Sequence, residues 1–475
     1  MNSRQSDHLY LDETEPLSGL HGLGRWVFFL LLGASFGRSF FHLGIPAANV
    51  FIGEAFLFLF VVLQPRVFCD RWIRYLVSPG ALGFFSWSLL ISLLYGVLEL
   101  IYGVHSGFTV LDALKIFIFD IYPFYFLLGV WAGMEHPSLL KKAMRAAGWV
   151  LAIYGPLYFL ALSKFAIAIP GTDVPVFPQP GGGELVILSL LSLERKPSRF
   201  WFLIMMAAIN MLVVQVRAEW LAGIIALTIW GLFERRLGTL LAVGCLLIAI
   251  VTVGFVGDID LPSPAQRGGR ISSREIAARG LSVISPEVAQ DFTTPASLRF
   301  YQGTMYWRLR WWSAIWNSQN DEVANPLLGH GYGFPLGSLV RNSAYSAIRT
   351  PHSVFFFALA YSGWIGVTTF LFLQLSILLL SWRAYRLTGC AWGIACLPSV
   401  LAAALFGNVL ESPMGAIPYY LLLGLFIGPT IENRRSKEAR QFRYVPPRIT
   451  LPLGPTHAPS CIELHKHAMP VRSSQ

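Results

Sequence analysis

Apolar residues along the chain fall into long blocks that are separated by short polar connections. A block of about 20 apolar residues is the length that an α-helix needs to cross a bilayer. We place such blocks at residues 24–43, 47–64, 82–103, 112–133, 146–168, 180–193, 199–215, 217–233, 237–256, 352–381, 390–409 and 413–431. The pattern predicts an all-α polytopic membrane protein with about 12 transmembrane helices and one large extracytoplasmic loop that contains short helices.

Basic residues alternate between the connections in a regular way. Lys and Arg occur in connections 65–81, 134–145, 194–198, 234–236 and 382–389 and after residue 431, whereas the short connections 42–46, 103–111, 169–183 and 410–412 contain neither. Loops rich in Lys and Arg stay on the cytoplasmic side of a membrane. Both termini are therefore predicted to be cytoplasmic, and the long loop is predicted to lie outside.

This pattern divides the chain into five parts. They are a cytoplasmic N-terminal segment (1–23), transmembrane helices one to nine (24–256), a large periplasmic loop (257–350), transmembrane helices ten to twelve (351–431) and a disordered cytoplasmic tail (432–475). The first residues are polar and acidic, so we expect the first apolar block to be retained rather than cleaved as a signal peptide.

The composition agrees with a membrane protein. Hydrophobic residues make up 55% and charged residues 13% of the chain, and the mean hydropathy is +0.56. The formal net charge of +10 comes largely from residues beside helix ends, so membrane lipids are the expected partners and nucleic acid is not. The five cysteines lack metal-ligand spacing, and we expect no metal, no cofactor and no disulfide framework.

The predicted outer loop contains nine arginines, seven acidic residues and no lysine. A guanidinium group can bind two phosphate oxygens at once, whereas an ammonium group cannot. The loop composition therefore favours a phosphorylated ligand such as a lipid diphosphate. The alternative is that these arginines pair with the loop acids or with lipid headgroups.

Residues 305–316 (MYWRLRWWSAIW) are predicted to form an amphipathic interfacial helix within the loop. Helical spacing places Arg308, Trp312 and Trp316 on one face. Arg308 or Arg310 could face a substrate phosphate, or the helix could serve only as an anchor in the interface. The glycine-rich stretch 325–333 (NPLLGHGYG) follows, and its backbone could approach a ligand closely.

His352 lies at the outer end of the tenth predicted span, in the sequence Arg349-Thr350-Pro351-His352-Ser353. An imidazole that is close to water is suited to act as a general base, although a histidine at this position can also be a helix cap or an interfacial anchor.

Charged residues also interrupt the apolar blocks. Arg217 is placed at the outer junction of the seventh and eighth spans, and Glu411 follows the eleventh. A charge in a membrane is costly unless it is functional or paired. Glu219 is close to Arg217 in sequence, but residues two apart on a helix do not face each other. The other charges within the spans (Arg38, Glu54, Glu99, Lys115, Asp120 and Lys164) are expected to satisfy one another inside the bundle.

Four features follow one another in a characteristic order. They are Arg217 before a large external loop, the Arg-x-x-x-Trp helix from Arg308 to Trp312, the stretch 325–333, and Pro-His-Ser before an apolar helix that contains Ser-Gly-Trp-Ile-Gly at 362–366. Over roughly residues 200–420 the chain resembles the O-antigen ligase/polymerase superfamily of bacterial surface-glycan enzymes.

The resemblance implies a metal-independent glycosyltransferase of the bacterial inner membrane with an extracytoplasmic active face. It would transfer a glycan from an undecaprenyl-diphosphate carrier to an acceptor hydroxyl of another glycan or of lipid A-core, beside other polysaccharide-assembly proteins. His352 would activate that hydroxyl. The candidate substrate-binding residues are Arg217, Arg308, Arg310, Arg349 and Glu411. The sequence departs from the family pattern at Ser353, where Asn is common.

Two other functions fit the composition. Charges within the spans are common in transporters, so a transporter or flippase of lipid-linked sugars or of a small anion is an alternative. The missing internal repeat and the concentration of distinctive residues on one face favour the transferase instead. A structural subunit of a polysaccharide export complex is a third reading.

Overall fold

The computed structural model describes residue 20 and residues 22–36, 38–41, 44–45, 50–78, 80–165, 167–169, 175–194, 196–258, 260–262, 270–319, 325–340 and 350–442. Within these ranges the chain is predominantly α-helical, as the apolar blocks predict. The predicted N-terminal segment up to residue 19 and the tail beyond residue 442 lie outside the described residues.

The first half of the chain contains twelve described helices. They are α1 (Gly22–Ala34), α2 (Arg38–Phe41), α3 (Ile52–Leu63), α4 (Pro65–Leu76), α5 (Ala81–His105), α6 (Val110–Ile121), α7 (Phe124–Glu135), α8 (Leu139–Leu160), α9 (Gly183–Leu193), α10 (Trp201–Val214), α11 (Arg217–Phe233) and α12 (Leu237–Val256). Two short antiparallel strands, β1 (Gly44–Ile45) and β2 (Val50–Phe51), precede α3. Short 3-10 helices occupy Leu162–Lys164 and Pro197–Phe200.

The long predicted loop has its own secondary structure. It contains the antiparallel hairpin β3 (Asp260–Pro262) and β4 (Arg270–Ser272), then α13 (Ser273–Ile284), α14 (Pro286–Ala289) and α15 (Pro295–Ser318), with 3-10 helices at Gln290–Phe292 and Leu336–Val340. The chain ends with α16 (Val354–Thr388), α17 (Trp392–Phe406) and α18 (Pro413–Phe442).

Among the described residues, seven helical stretches are long and apolar enough to cross a membrane, or eight if the bent pair α3–α4 is one span. Every predicted block contains a helix, but α1, α9 and α17 are shorter than a crossing requires. For α9 the cause is local, because the helix starts after a run of glycines and ends before Glu194, which binds Lys141 and Arg145.

The bend between α3 and α4 measures 92°. Pro65 is the first residue of α4, where a proline is tolerated because its missing N–H would be unsatisfied in any case. The same residue cannot continue α3, so the apolar block ends near residue 64, as the hydrophobic pattern predicts.

Helix packing shows how the bundle is built. Gly129 and Gly133 of α7 face Gly424 and Gly428 of α18, and a Cβ at any of the four would overlap backbone atoms of the other helix. Such close approach by small residues is typical of helix pairs in membranes. In contrast, only 6% of the apolar window of α12 is buried within the protein. A fully apolar helix with that much exposed surface requires a lipid environment.

Local signals fix the loop helices. Thr294 caps α15 by accepting a hydrogen bond from the Ser297 N–H, and Pro295 occupies its first position. Ser272 caps α13 in the same way. The tryptophan-rich segment therefore belongs to a longer helix than the sequence pattern predicts.

The C-terminal helix also extends beyond its predicted end. The sequence predicts a disordered tail from residue 432, but α18 continues to Phe442. The chain divides into two compact units, Met1–Asn433 and Arg434–Gln475. Of the second unit, only the helical backbone up to Phe442 is described.

Candidate functional site

The predicted site residues come from separate parts of the chain. Arg217 is the first residue of α11, Arg308 belongs to α15, His352 lies just before α16, and Glu411 lies between α17 and α18. Whether they form one site therefore depends on contacts between the loop helix α15 and the ends of three other helices.

Arg308 contacts the end of α17. Its Nη1 donates a 2.6 Å hydrogen bond to the carbonyl of Phe406, the last residue of that helix. The final carbonyls of a helix lack partners within the helix and carry the negative end of its dipole, so a guanidinium group stabilises them. Burial lowers the pKa of Arg308, and the charge of Glu411 offsets part of this effect. Arg308 is half-buried, and its guanidinium has further N–H donors.

Glu411 lies close to Arg308 and to the backbone N–H of Ser353, and both favour its charged form. Burial has the larger effect and raises the pKa of Glu411 well above its ordinary value of 4.5. Both carboxylate oxygens are buried, and neither makes a hydrogen bond of normal geometry with the described residues. A buried carboxylate without such bonds is costly, which makes Glu411 a candidate for contact with a ligand.

The backbone of His352 is in the left-handed region, with a φ of 53°. Histidine is among the few residue types that adopt this conformation with some frequency, although it remains unfavourable. Two contacts with α15 hold the segment in place. The Trp307 ring lies 5.5 Å from the imidazole between centroids, and the Trp312 indole N–H donates a 2.9 Å hydrogen bond to the Pro351 carbonyl. Two residues of α15, one before and one after Arg308 in sequence, therefore contact the segment that holds His352.

Arg217 extends toward the loop helices. Its guanidinium donates hydrogen bonds to the Ser282 hydroxyl at 3.1 Å and to the Tyr301 carbonyl at 3.2 Å. The positive charges of Arg308 and Arg279 both act on Arg217. Like charges repel, so this arrangement favours an anion between the guanidinium groups.

Arg279 is a candidate site residue that the sequence interpretation did not single out from the loop arginines. It is 6% exposed, lies 4.5 Å from the centre of the Tyr301 ring and donates a 3.4 Å hydrogen bond to the Gln215 carbonyl. The Tyr301 hydroxyl donates in turn to Glu275. No pattern along the sequence identifies Arg279, because its position depends on the packing of α13 against the start of α11.

Two further arginines were predicted to bind the substrate, and of these only Arg310 is among the described residues. Arg310 is exposed, and its position two residues from Arg308 places it on another face of α15. Arg349 lies outside the described residues, so its predicted role in binding stays a prediction.

A pocket of about 130 Å³ adjoins the cluster. Glu411 lines it together with Lys115, Phe119, Tyr122, Thr350 and Phe357. A mainly apolar pocket with a few polar groups is the usual form of a small-molecule site.

The glycine-rich stretch 325–333 contacts protein rather than open space. Gly329, Gly331 and Gly333 all have positive φ, and a Cβ at Gly329 would lie 2.8 Å from the Ala360 carbonyl oxygen. The glycines therefore allow the backbone of this stretch to pack closely against α5, α6 and α16. The sequence predicted close approach to a ligand instead.

This stretch docks where α16 is interrupted at Gly363. The N–H groups of His330 and Gly331 donate to the Ala360 and Tyr361 carbonyls at 2.9 and 3.0 Å. In return, the N–H groups of Trp364 and Ile365 donate to the Pro326 and Leu327 carbonyls at 3.0 and 3.2 Å. Backbone groups that the break would leave unsatisfied are thus paired with the loop.

Two carboxylates within the spans bind hydroxyl groups, whereas the sequence predicts that they pair with other charges. Asp120 accepts hydrogen bonds from Tyr332 at 2.5 Å and from Ser92 at 3.2 Å. Glu54 accepts one from Tyr122 at 2.9 Å. No sequence spacing reveals such partners, because they come from other elements of the fold.

The described residues contain no group of three or more His, Cys, Asp and Glu side chains that could hold a metal ion. The chain matches no protein-family model, and no curated protein matches its sequence. Function must therefore be argued from the site. The cluster offers guanidinium donors for an anion, an imidazole that can accept a proton, and a carboxylate facing a pocket.

Proposed function

We propose that this protein is a membrane glycosyltransferase of the O-antigen ligase/polymerase type. It would transfer a glycan from an undecaprenyl-diphosphate carrier to an acceptor hydroxyl in O-antigen or exopolysaccharide assembly. The observation that supports this proposal most directly is that Arg217 interacts electrostatically with Arg279 and Arg308, while Trp307 of α15, the helix that carries Arg308, contacts His352. Guanidinium groups that act on one another in this way suit a polyanionic ligand such as a diphosphate.

The proposed reaction uses these residues in separate roles. His352 accepts the proton of the acceptor hydroxyl, and the resulting oxygen nucleophile forms a bond to the anomeric carbon of the donor sugar. The bond from that carbon to the diphosphate oxygen breaks, and the electron pair leaves with the lipid diphosphate. Arg217, Arg279 and Arg308 stabilise the negative charge that develops on this leaving group. The Arg308 bond to Phe406 fixes the orientation of its guanidinium in advance.

The proposal includes twelve membrane passes, with both termini in the cytoplasm and the 257–350 loop outside. Two helices support this orientation. Arg217 begins α11, and Arg235 and Arg236 follow its other end. Likewise, His352 precedes α16, and Arg383 and Arg386 lie near its end. The cluster is thus at the helix ends opposite to those that the positive-inside rule assigns to the cytoplasm.

Replacement of His352 tests the transferase. We expect His352→Asn to stop glycan elongation or ligation and to cause the lipid-linked donor to accumulate, because the amide does not accept a proton at neutral pH. Asn tolerates positive φ, so this variant separates chemistry from backbone strain, and His352→Ala serves as a second variant. His105→Ala is the matched control, since His105 is an exposed histidine at the end of α5.

Glycan length and lipid-linked intermediates would be measured in cells that produce equal amounts of each variant in the membrane. If His352→Asn makes product of normal length and amount, with no more lipid-linked donor than His105→Ala, the proposed function is wrong.

A transporter of lipid-linked sugars is a second candidate, and the interruption of α16 at Gly363 beside the buried Asp120 favours it. Broken helices with buried polar groups form the substrate sites of many transporters. Proteoliposomes with a fluorescent polyprenyl-diphosphate sugar distinguish the two functions. A flippase exposes the probe to an external quencher or reductant at a rate that His352→Asn leaves unchanged, whereas a transferase consumes it only when an acceptor is added.

A further inference from the structure

Lys115 and Glu411 line the same pocket, although α6 and the α17–α18 connection lie far apart in sequence. Among the described residues, Lys115 pairs with Asp112 at 3.4 Å rather than with Glu411. The Lys115 side chain is 18% exposed. A positive and a negative group therefore both remain available to a molecule that enters the pocket.

Aromatic rings supply the apolar part of the lining. The Phe119 and Phe357 rings lie 5.1 Å apart between centroids and are tilted by 52°. The Tyr122 hydroxyl donates to Glu54, so Tyr122 presents its ring rather than a free hydroxyl. A sugar ring combines apolar C–H faces with a rim of hydroxyl groups. Aromatic rings fit the faces, and a carboxylate with an ammonium group fits the rim.

The pocket borders the segment that contains His352. Thr350 lines the pocket and lies two residues before the histidine, and the backbone N–H of Ser353, the next residue, faces Glu411. A hydroxyl group bound at this end of the pocket would therefore lie near the segment that carries the imidazole.

We infer that this pocket binds the acceptor sugar, an assignment that rests on the proposed transferase function. Glu411 accepts hydrogen bonds from neighbouring hydroxyl groups of a neutral sugar ring, and Lys115 donates to a third ring oxygen. The rings of Phe119 and Phe357 pack against its apolar face. The lipid diphosphate of the donor is held separately by the three arginines, so each substrate has its own binding group.

Separate Michaelis constants for the two substrates test this assignment. Purified full-length protein in proteoliposomes would receive lipid-linked oligosaccharide from the membranes of the producing cell as donor. Acceptors would be the same oligosaccharide released from its lipid and, in parallel, lipid A-core. We expect Lys115→Met to raise the KM for the acceptor about 10- to 100-fold, the effect of losing a hydrogen bond to a charged group. The KM for the donor should change by less than about twofold, because this assignment gives Lys115 a contact with the acceptor sugar and none with the lipid diphosphate.

Two further variants control for charge and folding. Lys115→Arg keeps a positive donor and should retain most of the acceptor affinity. Lys164→Met removes an exposed lysine from the 3-10 helix Leu162–Lys164 and should change neither constant. Thermal unfolding in detergent shows whether Lys115→Met remains folded. If it does not, the acceptor KM of Lys115→Arg tests the assignment instead.

The possible outcomes separate this assignment from the proposed function. If the wild-type protein transfers sugar but Lys115→Met leaves the acceptor KM unchanged, the acceptor assignment is wrong and the transferase stands. If both constants rise together, Lys115 acts on the donor or on the fold, and the assignment is again wrong. If the wild-type protein glycosylates neither acceptor, the transferase itself is overturned and the assignment with it.

Discussion

The Arg308 guanidinium is hydrogen-bonded at 2.6 Å to the last carbonyl of α17, at Phe406, and its charge acts on Glu411. A residue of the long loop and a connection between two membrane helices thus share one electrostatic environment. Substitutions on either side should affect both groups, and the following predictions use this relationship and the contacts around it.

Arg308→Lys should reduce transfer about 10- to 100-fold, because an ammonium group cannot bind Phe406 and a phosphate with the fixed geometry of a guanidinium. The matched control is Arg299→Lys, which changes an exposed arginine of the same helix. Product formation in membrane vesicles would be compared at equal protein level. Equal activity of the two variants would exclude bidentate phosphate binding at residue 308.

The rate of glycan transfer should fall on the acidic side of its pH profile, and this fall should begin well above pH 4.5. The reason is that burial raises the pKa of the Glu411 carboxyl. As the pH falls through the raised pKa, the carboxylate takes up a proton and no longer accepts hydrogen bonds with full strength. Glu411→Gln does not titrate, so its pH profile should lack this limb. A profile of transfer against pH that is identical in shape for the two proteins would contradict the assignment.

The same carboxyl has a predictable effect on stability. A raised pKa in the folded state means that the folded protein holds the proton more tightly than the unfolded chain. The contribution of Glu411 to the free energy of unfolding is therefore fully present below pH 4.5 and is lost as the pH rises through the folded pKa. Thermal unfolding in detergent should show this loss in the wild-type protein and a weaker pH dependence in Glu411→Gln.

Gly363→Ala should destabilise the protein by more than about 3 kcal/mol, because φ 57° and ψ −159° belong to a region that only glycine adopts readily. A Cβ at this position would also overlap the Leu327 backbone. Gly389→Ala is the control, since Gly389 has a φ of 74° but a methyl group added there would meet no atom within 4 Å. Gly389→Ala should lower the free energy of unfolding by only about 1 kcal/mol. If both variants lower the unfolding temperature equally, close contact between the Leu327 backbone and Gly363 does not explain the glycine.

Tyr332→Phe should lower the free energy of unfolding by about 1–3 kcal/mol, because it removes a hydrogen bond to the buried Asp120 carboxylate. Tyr306→Phe provides the comparison, as Tyr306 is a largely exposed tyrosine of α15. Equal stability of the two variants would show that Asp120 gains nothing from the Tyr332 hydroxyl.

Hydropathy predicted the helical class and the approximate position of every apolar helix, because a bilayer requires long apolar blocks that are visible in the sequence itself. It did not predict where those blocks break. Pro65 and the interruption at Gly363 depend on local backbone geometry, and the short length of α9 depends on ion pairs with α8. The tryptophan pattern located α15 but missed its first turns, whose helical start is set by the Thr294 cap.

The site was only partly accessible to sequence reasoning. Arg217, Arg308 and His352 attract attention because a charge or an imidazole stands out beside an apolar block, and the structure brings their segments together. Arg279 is one of nine arginines in the predicted loop, and only the packing of α13 distinguishes it. The hydroxyl partners of Asp120 and the pocket that Lys115 shares with Glu411 are also results of folding, since neither leaves a signature in the spacing of the sequence.

The exchange of backbone hydrogen bonds between residues 325–333 and the break in α16 has a consequence for biogenesis. With α16 broken at Gly363 and that stretch absent, the carbonyls of Ala360 and Tyr361 and the N–H groups of Trp364 and Ile365 would lose the partners that the loop supplies, which hydrocarbon does not tolerate. We therefore expect the broken form of α16 to be reached only together with the docking of the segment that precedes it. Residues 325–333 and α16 must therefore fold together. If the chain were cut between them, the two fragments would have to associate before α16 could adopt its final conformation in the bilayer.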